Sequence, residues 1–269
     1  MVLLYIPPVQ NLLRREVTAY ASKATGMQIQ VERIDLRFPL NLLVRGVEVI
    51  QQPDTLLSLE SLNVRVQAWP LLKGKVEVDD VTLSQVAVNS ADLIEGMQIK
   101  GVLGRFFLQS HGVDLSNETA VVNRAELSDT HIQLLMNDTT TAPKDTTASA
   151  PVNWKVDLHQ LKLKNISFDM QLPADSLKMA AYIGEATVDD AKADLKNQFY
   201  GLRQFLLSGA SASYDTGEAG PTEGFDASHM AVRNIRIGLD SLLYEGRNMN
   251  AVIREITMEE RSGLSITSL

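Results

Sequence analysis

The stretch LKLKNISF, residues 161–168, breaks an otherwise regular alternation of apolar and polar residues. Leu161 and Leu163 are apolar, but the next apolar residues, Ile166 and Phe168, begin three positions further on instead of two. A β-strand turns alternate residues to opposite faces, so an unbroken strand would separate these two pairs. One extra residue between them restores a common face, which is the effect of a β-bulge. The stretch therefore predicts a strand that bends at its centre and keeps one apolar face.

The same eight-residue phrase recurs through the chain and can be written h-x-h-x-b-h-x-h, with h apolar and b a bend residue. Its copies are residues 29–36, 42–49, 57–64, 76–83, 125–132, 161–168, 186–193, 205–212, 230–237 and 251–258. Every h position is apolar except Thr130, although only 45% of all residues are hydrophobic. The b position is never apolar, and Asp80, Asn165, Gly209 and Asn234 there suit the backbone angles of a bulge.

A phrase that returns at intervals of tens of residues indicates an extended array. We therefore predict a mostly β protein: a long, curved, antiparallel sheet built of bulged repeat strands, which forms an open groove with an apolar concave side. At each bulge, two residues of one strand should face one residue of its neighbour.

The N-terminal region, residues 1–27, is predicted to be separate from the sheet. Its apolar run Val2 to Ile6 is much shorter than the roughly twenty residues of a membrane helix, so we expect either the end of a truncated anchor or a buried apolar tail. An amphipathic helix should follow, because apolar residues recur at spacings of three and four. These residues are Val9, Leu12, Leu13, Val17, Tyr20 and Ala24. The helix packs against the end of the sheet or lies on a membrane surface.

The remaining residues, 28–269, are predicted to form the sheet domain. Two stretches rich in turn-forming or small polar residues, 138–151 and 215–228, should be long loops. A third irregular piece is expected at about 104–119.

Composition excludes several classes of function. The chain has 33 acidic and 25 basic residues and a formal charge of −8, so nucleic acid is not an expected partner, because its affinity comes mainly from Lys and Arg. The chain has no cysteine, which excludes disulfides and thiolate metal sites.

No catalytic pattern is present. The four histidines show no metal-binding spacing, and they are His111, His131, His159 and His229. The pairs Asp79-Asp80 and Asp189-Asp190 fall at matching x-b positions of the phrase, so they are interpreted as polar bulges. No phosphate-binding loop or nucleophile elbow occurs. We therefore predict no enzyme activity, catalytic residue, metal or cofactor.

Several segments together resemble a known family. They are IPPVQNLLRREVTAYASKATGMQIQVERIDLRFPLNLLVRGVEV (6–49), DTLLSLESLNVRV (54–66), LLKGKVEVDDVTLSQVAVN (71–89) and FDASHMAVRNIRIGLDSLLYEGRNMNAVIREITMEERSGLSITSL (225–269). These segments are similar to the N-terminal part of TamB-like proteins of the AsmA superfamily, the translocation and assembly module, particularly those of Bacteroidota. Because relatives are far longer, the chain is expected to be an N-terminal fragment, with an intact anchor before Ile6 and more strands after Leu269.

The resemblance implies a protein of the periplasm, anchored in the bacterial inner membrane by a single span. Its hydrophobic β-groove would serve phospholipid transport between the inner and outer membranes, and so outer membrane biogenesis. The partners implied are phospholipid acyl chains, the inner membrane and an outer-membrane barrel protein of the assembly-module type.

Two functions remain open at this point. In a lipid conduit, acyl chains lie along the apolar face, and the groove candidates are Leu127, Ile132, Leu163, Ile166, Phe168, Val188, Val232, Ile235 and Ile237. In a scaffold for the translocation and assembly of barrel or secreted proteins, sheet edges pair with client strands or with the barrel partner. The deciding observation is whether the apolar face is open or closed by a second layer.

Overall fold

The chain folds into one long sheet of thirteen strands. The computed structural model describes residues 14–16, 18–19, 22–23, 25–38, 40–51, 53–67, 78–90, 93, 96–114, 117–137, 153–220 and 226–268. The strands are β1 Gln28–Arg37, β2 Asn41–Gln51, β3 Asp54–Val66, β4 Val78–Asn89, β5 Met97–Asp114, β6 Thr119–Met136, β7 Lys155–Leu172, β8 Leu177–Asp194, β9 Phe199–Leu202, β10 Gln204–Asp215, β11 His229–Glu245, β12 Asn248–Glu260 and β13 Ser265–Ile266. One turn of 3-10 helix, Pro173–Asp175, joins β7 to β8.

The strands lie in the sheet almost in their order along the chain. β1 to β8 follow one another and then come β10, β11, β12 and β13, while the short β9 pairs with the ends of β8 and β11. The predicted mostly β fold, a single long sheet, is confirmed.

The prediction of a wholly antiparallel sheet was wrong at one pair, because β6 and β7 run parallel. Hairpins need only short turns, whereas a parallel neighbour needs a connection that returns along the strand. Eighteen residues separate Met136 from Lys155, which permits that return. Residues 138–152 lie outside the described part of the chain, so the loop predicted at 138–151 is not tested.

The bends of successive strands lie side by side. In β1 to β8 and in β10, a residue at the same level sits unpaired against the neighbouring strand, and we call these residues the bend line. The bend line is Glu32, Gly46, Glu60, Gln85, Gly104, Asp129, Asn165, Gly184 and Gly209. Because every strand bends at the same level, the hydrogen-bonded register continues across the sheet.

Left-handed backbone occurs only on alternate members of the bend line where strands are antiparallel. Five members have positive φ, namely Gly46, Gln85, Asp129, Asn165 and Gly209. All five lie on strands that run in the same direction, and the members on the opposite strands have no positive φ. A Cβ atom at Gly184 would lie 3.0 Å from the Gly209 carbonyl oxygen, so the two backbones touch at this point.

The predicted two-to-one bulges were confirmed at three positions and wrong at one. Asp79 is unpaired beside Asp80, and both β10 at Gly209 and β11 at Asn234 shift register against a neighbour. Asn165 causes no shift, because Asp129 and Gly184 are its counterparts at the same level.

The phrase at 76–83 was placed too early for the bend line. On β4, the left-handed residue is Gln85, in the overlapping stretch 81–88. The irregular piece predicted at 104–119 was also wrong, since β5 continues to Asp114 and β6 begins at Thr119. Consecutive apolar residues such as Phe106 and Phe107 hid the alternation in β5.

Helical residues lie against the outer edge of β1. Residues 14–16, 18–19, 22–23 and 25 are helical, whereas the predicted apolar face (Val9, Leu12, Leu13, Val17, Tyr20 and Ala24) lies outside the described residues. Arg14 Nη1 donates to the Val31 and Glu32 carbonyl oxygens at 3.3 and 2.8 Å, and the Ile29 amide donates to Ser22 Oγ at 3.0 Å. These bonds satisfy backbone groups that an edge strand otherwise presents to other chains.

The loop predicted at 215–228 is described only in part. Asp215 ends β10 and His229 begins β11, residues 216–220 form no strand, and residues 221–225 lie outside the described part.

Candidate functional site

Mostly apolar residues, among them most h positions, line up across the sheet in four rows, two on each side of the bend line; the h residues Ala191 and Ala193 of β8 lie outside these rows. Row 1 is Leu36, Leu42, Val64, Val81, Leu108, Ala125, Leu161, Val188, Phe205, Leu239 and Ile253. Row 2 is Ile34, Val44, Leu62, Leu83, Phe106, Leu127, Leu163, Ala186, Leu207, Ile237 and Ile256.

Rows 3 and 4 lie beyond the bend line. Row 3 is Val31, Val47, Leu59, Val86, Leu103, Thr130, Ile166, Ile183, Ala210 and Ile235. Row 4 is Ile29, Val49, Leu57, Val88, Gly101, Ile132, Phe168, Ala181, Ala212 and Val232. Adjacent side chains in such rows are in contact range, about 4.5–5.5 Å between Cβ atoms.

All nine predicted groove residues fall on these rows. Row 1 contains Val188, row 2 contains Leu127, Leu163 and Ile237, row 3 contains Ile166 and Ile235, and row 4 contains Ile132, Phe168 and Val232. The sheet therefore brings together residues that are up to 110 positions apart in the sequence.

The apolar rows are only partly shielded from water. None of the nine candidates is buried, and Ile132 is 39% exposed. Within the described residues, no second layer closes the face.

Thr130 is the one polar member of the rows. It is 5% exposed, and its hydroxyl donates to the Ser128 carbonyl oxygen at 3.3 Å. A buried hydroxyl with a partner avoids most of the desolvation cost. Thr130 therefore places a polar side chain in the apolar row 3 without leaving an unsatisfied hydrogen-bonding group.

The opposite face, which carries the x positions, holds most of the ion pairs. Arg65 Nε lies 3.2 Å from Asp80 Oδ2, and Lys155 Nζ lies 3.1 Å from Asp194 Oδ2. We call it the polar face. A sheet with one apolar and one charged face has a single side suited to acyl chains.

The two aspartate pairs, Asp79-Asp80 and Asp189-Asp190, make hydrogen bonds and ion pairs within the protein, which gives them a structural role. Gln67 Nε2 donates to Asp79 Oδ1 at 2.6 Å, and Arg203 Nε donates to Asp190 Oδ2 at 2.7 Å. The Arg203 guanidinium, and after it His159, lowers the pKa of the Asp190 carboxyl below its usual value. A carboxylate held ionised in this way is a structural ion-pair partner.

A polar network ties the start of β11 to the end of β12. Asp226 accepts hydrogen bonds from the Ser228 amide at 2.9 Å and from His229 Nδ1 at 2.9 Å. Partial burial raises the pKa of Asp226, but these hydrogen bonds outweigh it and leave the pKa lowered. The carboxylate of Glu260, a buried residue, accepts bonds from the Ser262 hydroxyl and amide, which lower its pKa.

The histidines do not converge on a site in the described part of the chain. His131 Nδ1 lies 2.6 Å from Ser167 Oγ, and His159 Nδ1 lies 3.3 Å from Asp190 Oδ1. Among the residues with described positions, no group of three or more His, Asp and Glu side chains could hold a metal ion.

A cavity of about 980 Å³ on the polar face was not predicted from the sequence. It lies near the end of the sheet, where β8, β10, β11, β12 and β13 contribute its walls. Its lining residues come from h, x and b positions of separate strands, so they share no local sequence pattern. Only Ile237 is both a groove candidate and a lining residue.

No model of a known protein family matches the chain, and no curated protein matches it either. No helix within the described ranges is long and apolar enough to cross a bilayer.

Proposed function

We propose that the four apolar rows bind phospholipid acyl chains and form part of a non-enzymatic conduit between the inner and outer bacterial membranes. The observation that carries the proposal is that the rows are continuous across the sheet, while most of their members, including all nine groove candidates, are not buried. An ordinary core would be covered by protein, whereas these rows leave room for an apolar ligand.

The physical chemistry of the rows suits a ligand that moves. Each CH₂ group removed from water contributes about 0.8 kcal/mol, so a sixteen-carbon chain gains roughly 10 kcal/mol before entropy costs. Val, Ile, Leu and Ala repeat along each row, so this gain changes little from one strand to the next. A lipid can then pass along the rows without a deep free-energy minimum that would hold it.

The proposal includes the location of the protein, which is the periplasm. The resemblance to TamB-like proteins supports a periplasmic groove that is anchored in the inner membrane and works with an outer-membrane barrel partner. From β1 to β12 the rows extend about 48 Å at roughly 4.8 Å per strand, which is little more than one bilayer with its headgroups. This section alone is too short to join two membranes.

Photo-crosslinking in cells tests the conduit. A photo-reactive residue at Ile166, on row 3, should capture phospholipid, whereas one at Lys162, on the polar face of the same strand, should not. Capture at both positions alike, or at neither, would contradict the proposal.

A scaffold for client proteins is the second candidate, because one sheet edge is open. β13 pairs only with Met258 and Glu259 of β12, and the rest of the outer edge of β12 has no strand partner within the described chain. Met249 and Val252 on this strand are 68% and 55% exposed. Such an edge can accept an added strand. A crosslinker at Val252 that captures protein, with none at Ile166 capturing lipid, would favour the scaffold over the conduit.

A further inference from the structure

The cavity on the polar face has the size and walls of a small-molecule site. Its volume of about 980 Å³ lies within the range of roughly 300–1,000 Å³ that is typical of ligand pockets. Leu206 and Ile266 supply apolar wall, and the Leu206 side chain is 37% exposed. The cavity can therefore hold a polar group of the size of a lipid headgroup.

Ionisable side chains line the cavity, and some of them are already paired. The five are Glu185, Arg236, Arg254, Glu255 and Glu259. Arg254 donates to Asp240, and Arg233 Nε lies 3.2 Å from a Glu259 carboxylate oxygen. These two pairs are satisfied within the protein and leave one cation and two carboxylates for a ligand.

The unpaired groups have opposite charges and lie on three different strands. Arg236 on β11, Glu185 on β8 and Glu255 on β12 form no ion pair within 4.0 Å among the described residues, although Lys164 is the direct cross-strand neighbour of Glu185 and the Arg254 charge acts on Glu255. Thr257 is the direct cross-strand neighbour of Arg236, and Ser208 of β10 also lines the cavity. A guanidinium flanked by two hydroxyls is a donor set for phosphate oxygens.

We propose that this cavity binds the zwitterionic headgroup of a phospholipid, with the phosphate at Arg236 and a primary ammonium at Glu185 and Glu255. The inference rests on the proposed function for the class of lipid, and it adds the headgroup chemistry and a site on the opposite face. A headgroup with a phosphate alone would leave two carboxylates unpaired beside its negative charge, which costs binding free energy.

Two soluble lipids that differ only in the headgroup test the preference. Isothermal titration with dihexanoyl phosphatidylethanolamine and dihexanoyl phosphatidylglycerol, both below their micelle-forming concentrations, measures each dissociation constant. We expect the ethanolamine lipid to bind at least about tenfold more tightly, a difference of about 1.4 kcal/mol. Equal affinities, or no binding of the ethanolamine lipid, would overturn the proposal.

Substitutions locate the site. Arg236→Gln should weaken both lipids, while the double variant Glu185→Gln, Glu255→Gln should remove the preference by weakening the ethanolamine lipid and strengthening the phosphoglycerol lipid. Arg247→Gln, at an exposed turn, is the matched control and should change neither. Binding that survives Arg236→Gln unchanged, or a preference that survives the double variant, indicates adsorption elsewhere and contradicts the site.

A cavity-filling variant gives an independent check. A Cβ atom at Gly238 would make only ordinary contacts, 3.6 Å to Arg254 Cβ and 3.7 Å to Leu206 Cδ2. The first atom of a side chain therefore fits here, and the rest of the larger side chain in Gly238→Leu should occupy the cavity and block both lipids, with folding checked by the thermal midpoint. A folded variant that still binds them would exclude this cavity.

The crosslinking and titration results together distinguish this proposal from the conduit. Capture of lipid at Ile166 without any headgroup preference contradicts the cavity alone. A headgroup preference without capture at Ile166 contradicts the conduit alone.

Discussion

At the scale of single residues, the fold depends on backbone angles that most side chains avoid. The left-handed members of the bend line are Gly, Asn, Asp or Gln, and none is β-branched. A left-handed conformation costs an ordinary L-residue about 1–2 kcal/mol, and Gly, Asn and Asp pay less of it. Sequence could predict that a bend residue lies between apolar pairs. It could not choose Gln85 over Asp80 on β4, because both frames place apolar residues at every h position.

Asn165→Val tests the cost of the bend. The substitution places a β-branched residue at φ 56° and removes the 2.8 Å hydrogen bond from Asn165 Nδ2 to Asp129 Oδ1. We expect the free energy of unfolding, measured with urea, to fall by about 1–3 kcal/mol. Lys164→Val, on the adjacent exposed position, is the control and should cost much less. Equal losses for the two variants would show that the backbone angle at Asn165 is not under strain.

At the scale of strands, local pattern predicted where most strands lie but not how they pair. The phrase at 125–132 and the one at 161–168 are alike whether their strands run parallel or antiparallel, since apolar alternation contains no direction. Direction follows from the connection between β6 and β7, whose length permits a return along the sheet. The strand over Met97–Asp114 was missed for a different reason: Val102 and Phe107 put apolar residues on the face opposite the rows as well, so the alternation was hidden.

The end of β12 should be sensitive to acid through Glu260. Hydrogen bonds from Ser262 lower the pKa of this carboxyl in the folded protein, so its ionised form contributes stability above the unfolded pKa of about 4.3. That contribution is lost as the pH falls through the lower folded pKa. Glu260→Gln should therefore destabilise the protein at pH 7, and the difference from the natural chain should shrink below about pH 4.

Urea unfolding of both proteins at several pH values measures this difference. Glu245→Gln, at the exposed end of β11, is the control and should show no such trend. A Glu260→Gln difference that stays constant from pH 7 down to pH 3 would contradict the assigned role of the Ser262 hydrogen bonds.

At the scale of the whole molecule, the sheet has one apolar face that no second layer covers within the described residues. Most of the four rows were predictable, because most strands carry the phrase and register then aligns the h positions. The cavity on the polar face was not predictable, because it depends on how β13 and Glu259 meet Leu206 and Glu185 from distant strands. The rows arise because the phrase is repeated along the chain, whereas the cavity arises from the way that particular strands meet at one end of the sheet.

An open sheet should respond weakly to denaturant for its size. The fully unfolded chain would expose about 43,000 Å², so unfolding from 17589 Å² exposes roughly one fifth less new surface than it would from a compact protein of this mass. The dependence of unfolding free energy on urea concentration scales with that newly exposed surface, so we expect it to be lower by about the same fraction. A value equal to that of compact proteins of 29.6 kDa would indicate that the apolar rows are covered in solution.

The direction rule of the bend line limits how such a protein can change in length during evolution. The left-handed members of the bend line lie on the strands of one direction from β2 to β10, so at the bend line neighbouring antiparallel strands are complementary rather than equivalent. Duplication of a hairpin adds one strand of each kind and preserves the order, whereas gain or loss of a single strand would place two like strands together. Two like strands do lie together at the β6–β7 pair, where Asp129 and Asn165 meet. There the neighbouring strands run parallel, so a long connection must return along the sheet to join them. The hairpin is therefore the unit by which this sheet can gain or lose strands during evolution, and homologous sheets should differ from it mostly by even numbers of strands.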